Sequence, residues 1–140
     1  MGMTNRLPGE VPVGAVAVSG GVVIGRAANQ VEMLKDATAH AEMLVLSVAA
    51  AGRGDWRMED VTVYVTKEPC AMCAGALVNA RVRRVVYGLE DPRSGACGSA
   101  LNVTGFPGML WQVETQGGVL AEESRALIQE FFRRARSREK

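Results

Sequence analysis

The chain has 140 residues, of which 48% are hydrophobic and 22% charged, and its formal net charge is +1. That length accommodates one ordinary domain with a real core and is too short for two. The hydrophobic content excludes a wholly disordered chain, and no apolar run approaches the length of a membrane span, so no membrane partner is expected.

The ends of the chain and its cysteines bear on where the protein works. The first nine residues lack the apolar core of a secretory signal, and three cysteines, an odd number, argue against a disulfide framework. We therefore expect a cytoplasmic protein with a short extension over residues 1–9 and a single domain over residues 10–138. After Phe132, five basic residues against one acidic residue give a tail of charge +4, which suits either a phosphate backbone or the end of a solvated helix.

The first half of the chain predicts a hairpin followed by a helix. Valine-rich runs over residues 13–18 and 22–24 flank Gly20-Gly21, which is typical of a β-hairpin. The stretch over residues 38–51, rich in Ala, Leu and Met, predicts a helix with Thr38 as its cap and Gly52 as its stop.

The second half predicts alternating strands and helices. Residues 61–66 and 82–88 read as strands, and between them a second helix is predicted from Glu68-Pro69, with the proline at its first position, to Ala80.

The last third of the chain predicts a long loop, a strand and a helix. Residues 90–107 are rich in glycine and proline and predict a loop that carries one short helix near residues 99–103. Residues 110–115 predict a last strand, and helical spacing over residues 121–138 predicts an amphipathic terminal helix. Strands that alternate with helices indicate a layered α/β domain.

Metal-ligating side chains concentrate at two places. His40, the single histidine, lies at the start of the first predicted helix, and Cys70 and Cys73 follow Pro69 at the start of the second. Each half alone is ambiguous, because a lone histidine is often a core residue and Cys-x-x-Cys can be a redox pair or two buried thiols. Together they supply three ligands, the number found in catalytic zinc sites that keep one position open for water. Glu42 can carry protons beside that metal, and His-x-Glu followed by Pro-Cys-x-x-Cys is a signature of zinc nucleobase deaminases.

Beyond this signature, the chain resembles the bacterial tRNA adenosine deaminase (TadA-like) branch of the zinc-dependent cytidine/deoxycytidylate deaminase superfamily. The resemblance is carried by residues 10–16, Asn29, 64–76, 84–88, 95–99, 107–109 and 131–133. It implies a three-layer α/β/α cytidine-deaminase-like fold with a central mixed five-stranded sheet flanked by helices. It also implies one zinc ion per subunit, a homodimer, and conversion of adenosine to inosine in the tRNA anticodon loop or another single-stranded nucleic acid.

The resemblance further implies which residues surround the base: Asn29, Val13, Pro12, Ala41, Asp91 and Phe106. In the family, an asparagine at the position of Asn29 hydrogen-bonds the base, and the residue at Asp91 contacts the neighbouring nucleotide. Pro12 and Val13 would form an apolar wall, and Ala41 would offer its backbone amide. Simpler roles stay open, because Asn29 and Asp91 can both serve turns and Val13 can belong to the core.

Loop residues depart from the family pattern. Gly105-Phe106 stands where family members often carry histidine, Leu110-Trp111 replaces a polar pair, and Glu90 sits where a basic residue is common. These changes keep open a deaminase of a free nucleobase or nucleoside such as guanine, cytosine or adenine, with Phe106 as an apolar lid. A non-catalytic zinc- or RNA-binding module is a further alternative, although a purely structural site has no need of Glu42 as a proton carrier.

Overall fold

The computed structural model describes residues 11–120 together with Glu122 and Arg133. Five strands and three helices follow one another in this part of the chain: β1 Gly14–Ser19, β2 Val22–Ala28, α1 Val31–Leu34, α2 Ala41–Arg53, β3 Val61–Lys67, α3 Ala71–Asn79, β4 Arg84–Leu89 and β5 Glu114–Gln116. The predicted extension over residues 1–9 lies outside the described residues. So does the predicted terminal helix, except for Glu122 and Arg133, which are both helical.

The strands form one mixed sheet in the order β2-β1-β3-β4-β5. β1 runs antiparallel to β2 and β3, whereas β3, β4 and β5 are parallel to one another. Gly20 and Gly21 close the β1–β2 hairpin with φ angles of 55° and 78°, as a two-residue turn between twisted strands requires. The predicted hairpin and the predicted α/β class with a mixed five-stranded sheet are thus confirmed.

Helices α2 and α3 cover one face of this sheet. Alternation along the strands turns one set of small and β-branched side chains toward them: Ala15, Ala17, Val61, Val63, Val65, Val85 and Tyr87. α2 contributes Val45 and Ala49 to the same core, and α3 contributes Leu77 and Val78. Full burial of a valine or leucine side chain contributes about 1.5–3 kcal/mol. The two helices therefore share a layer, and their first turns lie at the same end of the sheet.

The helix boundaries differ from the sequence-based expectation. Thr38 does not cap α2, because its amide and hydroxyl both donate to Oδ1 of Asp36, and the N-cap is His40. The helix runs through Gly52 and ends at Gly54, whose φ of 72° is the left-handed conformation that favours glycine. In α3 the N-cap is Cys70, so Pro69 lies before the helix and not at its first position.

Two further predictions were wrong in the loop after β4. Residues 99–103 form turns and an isolated bridge between Cys97 and Asn102 instead of a helix. The last strand begins at Glu114 and not at residue 110. The residues before it bond outside the β4–β5 ladder: the amide of Val113 donates to the carbonyl of Thr104, and the indole of Trp111 donates to the carbonyl of Val82. α1 was not predicted. Within the described residues, no helix is both long and apolar enough to cross a membrane.

Candidate active site

The candidate active site lies where α2 and α3 begin. His40 and Cys70 are the N-cap residues of the two helices, each with extended backbone, and Cys73 is the third residue of α3. Because both helices pack on the same face of the sheet, residues separated by 30 positions in the chain come together. The first-turn amides of both helices point toward this region, which favours negative charge there.

The geometry of the three side chains suits a tetrahedral metal ion. Nδ1 of His40 lies 3.7 Å from Sγ of Cys70 and 3.4 Å from Sγ of Cys73. Zinc bonds of about 2.3 Å to sulfur and about 2.0–2.1 Å to nitrogen, at a tetrahedral angle, put these atoms about 3.6 Å apart. All three ligand atoms lie within 4.8 Å of one another. The residues present therefore fit a divalent ion with soft ligands and leave its fourth position for another group.

The two thiols differ in pKa because one is hydrogen-bonded to the other. A hydrogen bond from the thiol of Cys73 stabilises the thiolate of Cys70 and lowers the pKa of Cys70 to about 5. The same hydrogen bond, together with burial, raises the pKa of Cys73. The two shifts are opposite in direction because they arise from the same hydrogen bond. Metal binding would require both cysteines as thiolates.

Glu42 is the buried carboxyl group of the site. It lies in the first turn of α2, is 4% exposed and lines the same cleft as His40 and Cys70. Burial raises the pKa of Glu42, and the opposing effects of its own amide and of His40 do not cancel that increase. A carboxyl group that can hold a proton in this position is suited to exchange protons with a molecule in the cleft.

A cleft of about 420 Å³ opens in front of these residues. Of the residues that the sequence placed around a base, Val13, Asn29 and Asp91 line this cleft. Asn29 is 8% exposed. Its backbone N–H donates a hydrogen bond to the carbonyl of Val13 over 2.9 Å, which fixes the backbone at this position. Asp91 follows β4 and accepts hydrogen bonds from the amides of Arg93 and Ser94 and from the hydroxyl of Ser94.

Three other predicted residues are not part of the cleft lining. Pro12 and Ala41 are fully buried beside it, Pro12 between two lining residues and Ala41 between His40 and Glu42. Phe106 is 58% exposed, and its carbonyl accepts hydrogen bonds from the side-chain amide of Gln112 and the backbone amide of Met109. The structure therefore does not bring Phe106 to the cleft.

Sequence reasoning missed two residues at the end of β3. Lys67 lines the cleft, and its Nζ lies 3.1 Å from Oδ2 of Asp91. Burial alone would raise the pKa of Asp91, but the hydrogen bonds from Ser94 and Lys67 hold it well below its usual range. Glu68 also lines the cleft and is 3% exposed. The signal that could have identified Glu68 is a charged residue directly before Pro69-Cys70.

Three side chains that could hold a metal ion lie beside a buried carboxyl group and a cleft, which is the set of features that a zinc-dependent deaminase requires. The chain belongs to the MafB19-like deaminase family, whose model matches residues 5–136. Among curated proteins, the tRNA-specific adenosine deaminase of Bacillus subtilis is 46% identical over 132 residues, which cover 94% of this chain and 82% of that protein. The sequence-based assignment to the tRNA adenosine deaminase branch is thus confirmed.

Solved structures agree with this assignment. A structure from a study of A-to-I editing by tRNA:A34 deaminases at the wobble position of transfer RNA matches with a TM-score of 0.80 and 40% identity, over 84% of this chain and 85% of that one. The guanine deaminase of Nitrosomonas europaea matches with a TM-score of 0.74 and 24% identity, over 87% of this chain and 73% of that one. The second likeness shows a common fold only, so the fold by itself does not select the base.

Proposed function

We propose that this protein is a zinc-dependent hydrolytic deaminase that converts adenosine to inosine at the wobble position of tRNA. The observation that carries the proposal is the group of His40, Cys70 and Cys73, with ligand atoms within 4.8 Å of one another, in the same cleft as the buried Glu42. The name of the Bacillus subtilis relative, a tRNA-specific adenosine deaminase, supports the choice of base and nucleic acid.

The reaction consumes adenosine and water and releases inosine and ammonia. His40, Cys70 and Cys73 would hold one zinc ion, which would supply the activation of a water as the nucleophile. Glu42 would take one proton from the attacking water and deliver it to the ring nitrogen of the base. It would then pass the second proton, from the hydroxyl newly added to the ring carbon, to the leaving amino group. Burial of Glu42 keeps bulk water from competing for these protons.

The proposed substrate contacts are made by residues of the cleft lining and by two residues directly beside it, Pro12 and Ala41. Asn29 hydrogen-bonds the purine, Val13 and Pro12 support its apolar face, and the amide of Ala41 approaches the ring edge. Asp91, held by Lys67 and Ser94 at the mouth, contacts the nucleotide beside the target base. A base in an anticodon loop costs less to extract than one in a duplex, so a single-stranded target suits a cleft of this kind.

Assembly and location complete the proposal. We infer a single catalytic domain over residues 10–138 that works as a homodimer in the cytoplasm, with one zinc ion per subunit. The exposed Phe106 and Leu110 lie outside the cleft of their own subunit and are candidates for contact with RNA or a second subunit.

The test is a direct assay of product. Zinc-loaded protein is incubated with an anticodon stem-loop that bears a wobble adenosine, and separately with free adenine, adenosine, guanine and cytosine at equal concentration. Mass spectrometry should find inosine in the stem-loop and ammonia in proportion. A matched stem-loop with its adenosine moved into the paired stem should stay unmodified. Turnover of a free base with an untouched stem-loop would overturn the proposal.

A further inference from the structure

Glu68 holds the loop after β4 from inside the protein. Its Oε1 accepts hydrogen bonds from the amide of Asp91 at 3.0 Å and from the hydroxyl of Ser99. Its Oε2 accepts from the amides of Cys97 at 3.0 Å and Ser99 at 3.2 Å. A buried carboxylate with these four donors is fully satisfied, and each such charge-assisted bond is shorter and stronger than a neutral one.

The loop leaves no room around this carboxylate. A Cβ built on Gly95 would lie 2.5 Å from Oε1 of Glu68 and 2.6 Å from the carbonyl oxygen of Asp91. The amide of Ala96 also donates to the carbonyl of Pro69, over 2.8 Å. The segment from Asp91 to Ser99 is therefore wrapped around the side chain of Glu68. At position 95 the backbone lies so close to the carboxylate that only glycine fits.

The position of Glu68 in the chain connects two parts of the cleft. It is separated from the metal-ligating Cys70 by Pro69 alone, and it follows Lys67, which binds the carboxylate of Asp91. The loop that it holds carries Asp91 and Ser94, two residues of the cleft lining. Two consecutive residues at the end of β3 thus fix the mouth of the cleft relative to the metal-ligating turn.

We propose that Glu68 is a positioning residue that sets substrate affinity by holding Asp91 against the cleft. This inference rests on the proposed function for the identity of the substrate. It assigns Glu68 no proton transfer and no metal contact. Its effect passes through Asp91 and should therefore be seen in KM for a substrate that extends beyond the target base.

The variant Glu68→Gln tests this with almost no change in volume. An amide nitrogen at either oxygen position would face a backbone N–H, so at least one of the present hydrogen bonds becomes a contact between two donors. A displacement of about 1 Å at a binding group can cost up to about 100-fold in kcat/KM. We expect a loss of between about 10-fold and 100-fold for the stem-loop, mainly through KM, with zinc content unchanged.

A double-mutant cycle separates positioning from a general loss of structure. If Glu68 acts through Asp91, the double variant Glu68→Gln/Asp91→Ala should be no worse than Asp91→Ala alone, within about twofold. Glu59→Gln, which changes an exposed carboxylate before β3, is the matched control and should behave as wild type. The proposal would be refuted if the losses in kcat/KM of the two single variants multiply in the double variant. It would also be refuted if the loss lies in kcat and accompanies a loss of zinc.

A second variant covers the case in which Glu68→Gln does not fold. Ser99→Ala removes one hydroxyl donor and keeps the backbone amide, so it should raise KM in the same direction by a smaller factor. Hydrogen exchange of the Cys97 and Ser99 amides should accelerate in the variants, and unchanged exchange contradicts the inference. Wild-type inactivity on the stem-loop would refute the proposed function alone. The hydrogen-exchange comparison needs no substrate, so it still tests whether Glu68 holds the loop that carries Asp91.

Discussion

Gly95 offers a measure of how tightly the loop closes on Glu68. In Gly95→Ala the new methyl group would start 2.5 Å from Oε1 of Glu68, whereas ordinary contacts begin near 3.4 Å, so the carboxylate or the loop must move by about 1 Å. Overpacking of this kind costs about 1–3 kcal/mol, and a weakened hydrogen bond to a charged group adds about 1.5–3 kcal/mol. We expect a total loss near 3 kcal/mol, or about 10 °C in Tm for a domain of this size.

The assay is thermal unfolding of the zinc-loaded protein, followed by circular dichroism. The matched control is Gly52→Ala, because a Cβ at Gly52 in α2 meets nothing within 4 Å. In that helix the substitution should be neutral or stabilising by up to about 1 kcal/mol. If Gly95→Ala melts within about 3 °C of wild type, the loop is not packed against the carboxylate as described.

Three further predictions concern catalysis, the metal and pH. Glu42→Gln should retain zinc and lower kcat by about 10²–10⁴-fold, the usual contribution of a general acid–base group, as a single-turnover assay with metal analysis can check. Zinc at about 1,000 times its Kd should add about 4 kcal/mol of stability, and Cys73→Ser should melt at the same Tm with and without a chelator. Hydrogen bonds from Arg53 hold the pKa of Asp60 well below its usual range, so this exposed pair stabilises the fold in full above about pH 4 and less as the pH falls further. Asp60→Asn should therefore cost at most about 1 kcal/mol at pH 7 in urea unfolding, and the difference from wild type should shrink below pH 4.

The strands and the composition of the site were predictable from local patterns. A valine-rich run before Gly20-Gly21 identified β1, whose first four residues are all buried. In β3, buried valines alternate with more exposed residues, which leaves a direct trace in the sequence. The residue types and spacing of His40, Cys70 and Cys73 predicted a group that could hold a metal ion, because tetrahedral coordination restricts which side chains can serve, and the structure brings these three together. These signals depend on residue type and neighbours in the chain alone.

The helix starts and the loop after β4 were not predictable in this way. Thr38 is a residue type that favours the N-cap, but its hydroxyl donates a hydrogen bond to the carboxylate of Asp36, and the N-cap of α2 is His40. The short helix expected near residues 99–103 does not form, because Glu68, about 30 residues earlier in the chain, accepts the amides of Cys97 and Ser99. Such tertiary hydrogen bonds override local propensity and leave no periodic signal.

The two helix caps have a consequence for how selection acts on this protein. Neither His40 nor Cys70 makes a side-chain hydrogen bond to the helix that it begins. Serine, threonine, aspartate or asparagine at such a position typically stabilises a protein by about 0.5–2 kcal/mol relative to a residue that does not cap. In the metal-free chain, an ordinary cap at either position should therefore be more stable than His40 or Cys70. If the two side chains hold the proposed zinc ion, they exchange that stability for metal binding, and directed evolution of the metal-free chain for stability should replace them first.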